Sequence, residues 1–393
     1  DLLSFLGQSL AFRIDLASRE NFIELAERKE SVLRLARTLA YNAKRNVAAS
    51  GLLKFDTVST TETLYDSNSR NLARQTIIWN DPTNTNWYEQ FVTVLNAAMT
   101  PNTRFGKDQG SATIGGIPTE QYRFNSSNTD VPMYTFSKVV AGRLTTFEVV
   151  STAIENKAVI SEETPLPGRQ FGFVYREDGR GSGSNNTGFF MMFKQGSLEV
   201  ADFSIDQPTV NEKISIASEN INNNDVWLYS LKNDGTENIL WSQVSALTGN
   251  NIVYNSVSNG LKNIYSVVTK ENDKVDLIFS DGVFGNLPQG PFRVYYRVSN
   301  GLSYSIASGE LRGISISIPY VNAAGANHTL TIVMSLNYSV DNSAASETID
   351  SIRSKAPAVY YTQNRMITGE DYNLAPLSSS QDILKVKAIN RSS

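Results

Sequence analysis

The first 41 residues carry a hydrophobic pattern of helical period. Leu3, Leu6 and Leu10 share one face, because side chains three and four positions apart lie together on a helix. A second apolar stripe advances by alternating steps of three and four residues, interrupted only by Lys29, as in a coiled-coil seam. Its members are Phe22, Leu25, Val32, Ala36 and Leu39. Such a stripe must be buried, either on the chain's own next domain or in a bundle with other chains, and the spacing favours neither.

Beyond the helical start, the pattern changes to short strands separated by turns. Strands are predicted within residues 47–80 and again at 133–150 and 153–160, with a short helix over 87–99 between them. Between residues 197 and 340, short apolar runs alternate with Asn-Gly and Asp-Gly turns at the intervals of β-sandwiches and barrels. The sequence therefore predicts an α+β, mostly β chain.

Two segments complete the predicted organisation. Residues 176–188 are rich in Gly, Ser and Asn and are predicted to form a long mobile hairpin loop. Residues 346–375 return to a helical pattern, and a final strand is expected at Ile383–Ile389. The predicted domains are a helical arm (1–43), an α+β domain (44–165), a β-rich domain (166–345) and a helical C-terminal segment (346–393).

Composition narrows the possible functions. The formal net charge is −4, and the sequence shows no local basic patch, so nucleic-acid binding is not expected. No apolar stretch reaches the length of a membrane span, and no signal peptide is recognisable. The absence of cysteine excludes a disulfide scaffold and thiol chemistry. Because the sequence opens on Asp1, we expect it to be part of a longer polypeptide.

Candidate catalytic groups are few. His328 is the single histidine, so one chain cannot supply a two-histidine metal site. The acidic pairs Asp276 with Asp281 and Glu162 with Glu163 have no fixed separation in the sequence, and Gly179–Gly183 lacks the Gly-Lys-Ser/Thr ending of a phosphate-binding loop. We therefore expect neither enzymatic activity nor a cofactor.

Three segments, taken together, resemble one family. Residues 1–50 are similar to the N-terminal region of baseplate wedge proteins of T-even-like contractile-tailed phages. The matching positions are Glu20, Phe22, Ala26, Lys29, Ser31 and Val32, followed by Ala40-Tyr41 and Ala48-Ala49-Ser50. Residues 55–270 show no motif that matches this family.

The second segment, Val275 to Tyr296, resembles a glycine-rich signature of baseplate J-like proteins. The matching residues are Phe279, Asp281, Gly282, Phe284, Gly285, Pro288 and Gly290, with Ser280 where a glycine is usual. This pattern describes a strand, a tight Asp-Gly turn and a return strand, with Phe284 folding back over the hairpin. Asp281 is thus expected to form the turn rather than to act as an acid.

The third segment, Glu347 to Tyr372, resembles another run of the J-like proteins. The matching residues are Ile352, Arg353, Ala356, Pro357, Gln363, Arg365, Thr368, Asp371 and Tyr372. Thr368 is well placed to cap a helix that contains Asp371 and Tyr372.

The resemblance implies a structural role in the virion. Such proteins are assembled in the host cytoplasm and form a ring around the central tail hub, which rearranges when the sheath contracts. Two copies associate within a wedge, N-terminal helices join a bundle with a neighbouring wedge protein, and C-terminal parts join wedges into the ring. Partners would then be a second copy, other wedge proteins and hub proteins, with no nucleic acid and no membrane anchor. The resemblance favours the intermolecular bundle for the stripe of residues 22–39.

Two alternatives stay open at this point. Tailocins and type VI secretion systems also use J-like baseplate proteins. A receptor-binding or glycan-cleaving tail protein is the alternative of a different class, although the sequence shows no β-helix repeat.

Overall fold

The computed structural model describes residues 2–101, 104–106, 111–126, 128–244, 262–283, 285–362, 368–379 and 386–389. Strands account for 40% of the chain and helices for 18%. The predicted mostly β, α+β class is therefore confirmed.

The chain forms two compact units. The first unit contains Asp1–Val47, Leu198–Ser303 and Ala344–Ser393, and the second contains Ala48–Ser197 and Tyr304–Ser343. Each unit is thus built from segments that are far apart in the sequence.

The second unit is organised around a ten-stranded sheet, most of which follows the order β19-β20-β1-β10-β9-β4-β3. Strands β2, β5 and β6 also belong to this sheet, and β7 and β8 form a separate hairpin. The bounds are β1 Ser50–Thr60, β2 Ile77–Ile78, β3 Ser111–Ile114, β4 Ile117–Arg123, β5 Met133–Val140, β6 Arg143–Val150, β7 Thr152–Glu155, β8 Val159–Glu162, β9 Gly172–Arg176, β10 Gly188–Gln195, β19 Ile314–Val321 and β20 Asn327–Leu336.

One strand, β1, holds this sheet together. It pairs antiparallel with β10 on one side and with β20 on the other. Helix α3 (Trp87–Ala98) packs on the sheet, because Phe91, Val94, Leu95 and Ala98 recur at helical spacing on its apolar face. Phenylalanine rings dominate the core between helix and sheet, and Phe91 stacks on Phe189 with ring centroids 6.0 Å apart.

The first unit contains two four-stranded sheets that share one core. Their orders are β11-β18-β13-β14 and β12-β17-β16-β15. Buried Val, Leu, Ile and aromatic side chains from both sheets form a single cluster, as in a β-sandwich. The bounds are β11 Ser197–Ile205, β12 Lys213–Ile216, β13 Ile221–Leu231, β14 Glu237–Leu240, β15 Ser242–Gln243, β16 Ile264–Thr269, β17 Val275–Phe279 and β18 Gly290–Val298.

The helices of the first unit come from both ends of the chain. They are α1 Leu2–Arg19, α2 Lys29–Thr38, α4 Ile349–Thr362 and α5 Gly369–Ser379. The expected final strand at Ile383–Ile389 lies partly outside the described residues, and residues 386–389 are in no regular element.

The structure divides the chain differently from the predicted domains. The predicted boundary at 165/166 falls inside the sheet of the second unit, because β9 pairs with β4 on one side and β10 on the other. The predicted β-rich domain of residues 166–345 is likewise split, because β20 joins β1 in the second unit. Periodicity located these strands, but it contains no information on which distant strands pair.

The predicted hairpin between β9 and β10 is confirmed. Its loop, which was predicted to be mobile, is held in place by hydrogen bonds. Asp178 accepts hydrogen bonds from the Ser184 hydroxyl (2.6 Å) and the Thr187 hydroxyl (2.8 Å). The indole N–H of Trp79 donates to the Ser182 carbonyl at 2.9 Å, and the Lys54 ammonium donates to the Ser184 carbonyl at 2.7 Å. The Ser184 hydroxyl is the main cause that lowers the pKa of Asp178 to about 2.

Candidate partner-docking surface

Helix α1 presents its apolar side chains to solvent. Five of them are between 58% and 72% exposed, and they are Phe5, Leu6, Leu10, Phe12 and Ile14. Within Ser4–Arg19 only Ser9 and Leu16 are even half-buried. A solvated helix with this much apolar surface is stable only when something covers it.

The predicted continuous seam over residues 22–39 is wrong in its first half, because the chain leaves the helix after Arg19. The Glu20 carboxylate accepts hydrogen bonds from the backbone N–H groups of Glu27 (3.0 Å) and Arg28 (3.3 Å). In a continuous helix those two N–H groups would bond to carbonyls four residues earlier. Phe22 and Leu25 therefore lie in a turn segment, where they are 60% and 54% exposed.

The second half of the seam is helical, but it packs inside the chain. Val32 and Ala36 of α2 are fully buried against Ile352 and Ala356 of α4, and Leu39 packs at the edge of this cluster. The intramolecular alternative therefore holds for these three of the five predicted bundle contacts. The sequence signal that could have located the partner helix is the matching spacing of Ile352 and Ala356.

A buried carboxylate links the segment that follows α2 to α4. Glu347 accepts hydrogen bonds from the Tyr41 hydroxyl at 2.8 Å and the Lys44 backbone N–H at 3.0 Å, and it pairs with the Lys355 ammonium at 2.7 Å. Burial raises the pKa of Glu347, but the Lys355 ammonium, the Lys44 N–H and the Tyr41 hydroxyl outweigh it and leave this pKa below its ordinary value. The ionised carboxylate is thus the form that the fold stabilises.

Because the fold stabilises the ionised form of Glu347, the stability of the first unit should depend on pH. Because the folded-state pKa of Glu347 lies below its unfolded value of 4.5, its contribution is present above that pH and is lost as the pH falls. We expect Glu347→Gln to reduce the free energy of unfolding by about 1–3 kcal/mol at pH 7. Thermal unfolding between pH 7 and pH 3 should show a smaller loss for this variant than for the parent chain. The control is Asp350→Asn, whose carboxylate is 89% exposed; equal pH dependence of all three proteins would contradict the prediction.

The segment that follows Tyr41 is held against the sandwich of the first unit by hydrogen bonds of its side chains. Asn42 imitates a strand neighbour of β16, because its amide donates to the Val267 carbonyl (2.8 Å) and accepts from the Thr269 N–H (3.1 Å). Arg45 is buried, and its guanidinium donates to the Ile221, Asn222 and Asn223 carbonyls and to the Thr269 hydroxyl. Burial lowers the pKa of Arg45 to about 10, so it remains charged at neutral pH.

A polar groove of about 730 Å³ separates α1 from α2. It is lined by Arg13, Leu16, Ala17, Glu20, Asn21, Arg28, Glu30, Ser31, Arg34 and Arg37. Among the described residues, no carboxylate forms an ion pair with any of the four arginines. Residues 13–37 contain six basic and five acidic side chains, so their sequence alone shows no basic patch. The fold brings the four arginines together in the lining of one groove.

The segment Val275 to Tyr296 lies in the sandwich of the first unit, but its predicted hairpin is wrong. Strand β17 pairs with β12 and β16 in one sheet, whereas β18 pairs with β13 in the other sheet. Phe279 ends β17 and is buried in the shared core. Asp281 accepts the Val283 N–H at 2.9 Å at the turn that contains Gly282, so its predicted role as a turn former is confirmed. A Cβ on Gly285 would lie 2.6 Å from Ile264, which explains glycine there. Pro288 precedes β18, and Phe284 lies outside the described residues.

The third motif is described in part. Thr368 and Asp371 form a reciprocal cap at the start of α5, because the Thr368 N–H donates to Asp371 (2.7 Å) and the Asp371 N–H donates to the Thr368 hydroxyl (3.3 Å). Arg353 donates to the Ala26 carbonyl, Pro357 lies within α4 and Tyr372 is half-exposed on α5. Gln363 and Arg365 lie outside the described residues.

Three carboxylates in the acidic pairs noted in the sequence form ion pairs with basic side chains. Glu162 pairs with Lys194 at 3.0 Å, and Glu163 pairs with Arg123. Asp276 pairs with Lys213 at 2.8 Å. In the part of the chain that the structure describes, no three His, Cys, Asp or Glu side chains are grouped as a metal would require.

Comparison with known families matches residues 51–339 to the model of the domain of unknown function DUF8360. The chain belongs to the DUF8360 family. The DUF8360 match covers all eight strands of the sandwich and the strands of the second unit except the first residue of β1, whereas α1, α2, α4 and α5 lie outside the matched residues. No curated protein matches the chain. None of the described helices is long and apolar enough to span a membrane.

Proposed function

We propose that the chain is a structural subunit of a contractile phage-tail baseplate, a wedge protein that assembles through α1. The observation that carries the proposal is the exposed apolar surface of α1, which the described part of the chain leaves uncovered. Helix α2 sits differently, because its apolar face is buried against α4. Helices α2 and α4 thus pack against each other, whereas the exposed apolar side of α1 is available to bind another protein.

The resemblance of three segments to wedge and J-like proteins supplies the biological setting. The subunit would belong to the ring that surrounds the tail hub, and it would act mechanically, without catalysis or a cofactor. Two copies would associate within a wedge, and a neighbouring wedge protein would contribute helices to the bundle. Phe22 and Leu25 extend the exposed apolar surface beyond the end of α1.

The proposal predicts that single charges on this surface block assembly. We expect Leu10→Asp or Leu25→Asp to weaken association by about tenfold or more, because an apolar contact is lost and a carboxylate is desolvated. Both side chains are exposed, so thermal unfolding of the chain should not change. Light scattering would measure the molar mass of the chain alone and co-expressed with the tail proteins encoded beside it.

The matched control is Val139→Asp, which replaces an exposed apolar residue at a β-hairpin of the second unit. Association that survives in the Leu10 and Leu25 variants would refute the docking role of α1, and a trimer would favour a fibre or receptor-binding protein. A deletion should end at Arg19, because removal of α2 would uncover Ile352 and Ala356.

A further inference from the structure

One stripe of side chains along α1 and the residue that follows it joins the exposed apolar surface to the groove. Leu6, Leu10, Arg13, Ala17 and Glu20 follow one another at steps of four, three, four and three residues, so they lie along one face. The two leucines are exposed, and the last three residues line the groove. The stripe spans about 21 Å at 1.5 Å per residue.

The groove end of this stripe is positively charged. Four arginines face two glutamates, which is an excess of two positive charges in a chain of net charge −4. Glu20 is already engaged by the backbone N–H groups of Glu27 and Arg28. The guanidinium groups of Arg13, Arg28, Arg34 and Arg37 are left without ion pairs among the described residues. A ligand that lies in the groove therefore meets cations, and one that extends along α1 meets leucines.

We propose that this surface binds an acidic amphipathic helix from a different polypeptide, with its carboxylates in the groove and its apolar face along Leu6 and Leu10. The inference rests on the proposed docking role of α1 and specifies the chemistry of the partner. A second copy of α1 does not match, because its only carboxylate, Asp15, already pairs with Arg19 at 2.9 Å.

A helix matches this surface better than a nucleic acid does. A phosphate backbone would satisfy the arginines but would leave the leucines uncovered. A helix with apolar residues every three or four positions covers Leu6 and Leu10, and its glutamates reach Arg34 and Arg37 on the opposite wall.

The test uses two synthetic peptides of about three heptads, each with leucine at the a and d positions. One carries glutamate at the remaining positions, and the other carries lysine. Fluorescence anisotropy with the full chain should show that the glutamate peptide binds about tenfold or more tightly than the lysine peptide, with an affinity that falls as salt rises. The double variant Arg34→Glu with Arg37→Glu should reverse this preference, because two arginines would then face four glutamates in the groove. Glutamate also favours a helix, so α2 should stay folded.

The outcomes separate this inference from the proposed function. If the double variant keeps the parent's preference, or if neither peptide is preferred, the acidic-helix proposal is overturned. A single-stranded oligonucleotide that displaces the glutamate peptide at comparable concentration also overturns it and indicates a nucleic-acid groove. Loss of assembly in Leu10→Asp combined with an unaltered double variant would leave α1 as the docking element and remove only the charged partner.

Discussion

Replacing Arg45 with alanine is expected to destabilise the first unit by about 3–5 kcal/mol. The buried guanidinium supplies donors to three backbone carbonyls, those of Ile221, Asn222 and Asn223. After the replacement these carbonyls stay buried without that donor, which costs far more than the loss of a surface charge. Chemical denaturation followed by far-UV circular dichroism would measure the change.

The control for this experiment is Arg19→Ala, which removes an exposed arginine from an i,i+4 pair with Asp15. Exposed pairs of this kind contribute about 0.5 kcal/mol or less. Similar stability of the two alanine variants would show that the network around Arg45 does not hold the segment after Tyr41 on the sandwich.

A single methyl group at Gly172 is expected to destabilise the second unit by about 3 kcal/mol or more. A Cβ there would lie 2.4 Å from the backbone carbonyl oxygen of Thr152, a group that cannot rotate away. Gly172 begins β9, and its N–H donates to the Ser151 hydroxyl at 2.9 Å. The chain must therefore separate two backbone segments to admit alanine.

Gly183→Ala is the matched control, because its added Cβ would make only ordinary contact, 3.6 Å from the Asn80 side chain. Thermal unfolding of both variants would separate the close approach from the general effect of alanine on the unfolded chain. Equal midpoints would mean that β9 and the Ser151–Thr152 backbone can move apart at little cost.

Local features of this fold could be predicted from the sequence. The short helix at Trp87–Ala98, the β9–β10 hairpin, the Asp281 turn and the Thr368 cap all depend on residues close in sequence. In each case the side chain that decides the structure lies within a few positions of the backbone it acts on.

The candidate surface could be predicted only in part, because periodicity identifies an apolar face without identifying what covers it. Phe22 and Val32 belong to one stripe in the sequence, yet the first is exposed and the second is buried on α4. The difference arises at Glu20, whose carboxylate accepts hydrogen bonds from backbone N–H groups seven and eight residues later in the chain. The four arginines of the groove converge for the same reason, since the turn folds α1 back beside α2.

The order of synthesis has a consequence for α2. Val32 and Ala36 become buried only when they pack against Ile352 and Ala356, which are translated about 320 residues later. At usual elongation rates of about 5–20 residues per second this is an interval of roughly 16–64 s. During that time the apolar side of α2 is open to other nascent chains, while the second unit can already complete most of its sheet. Several nascent chains on one polysome therefore expose the apolar side of α2 close together. This arrangement favours aggregation unless a chaperone or a partner covers that surface.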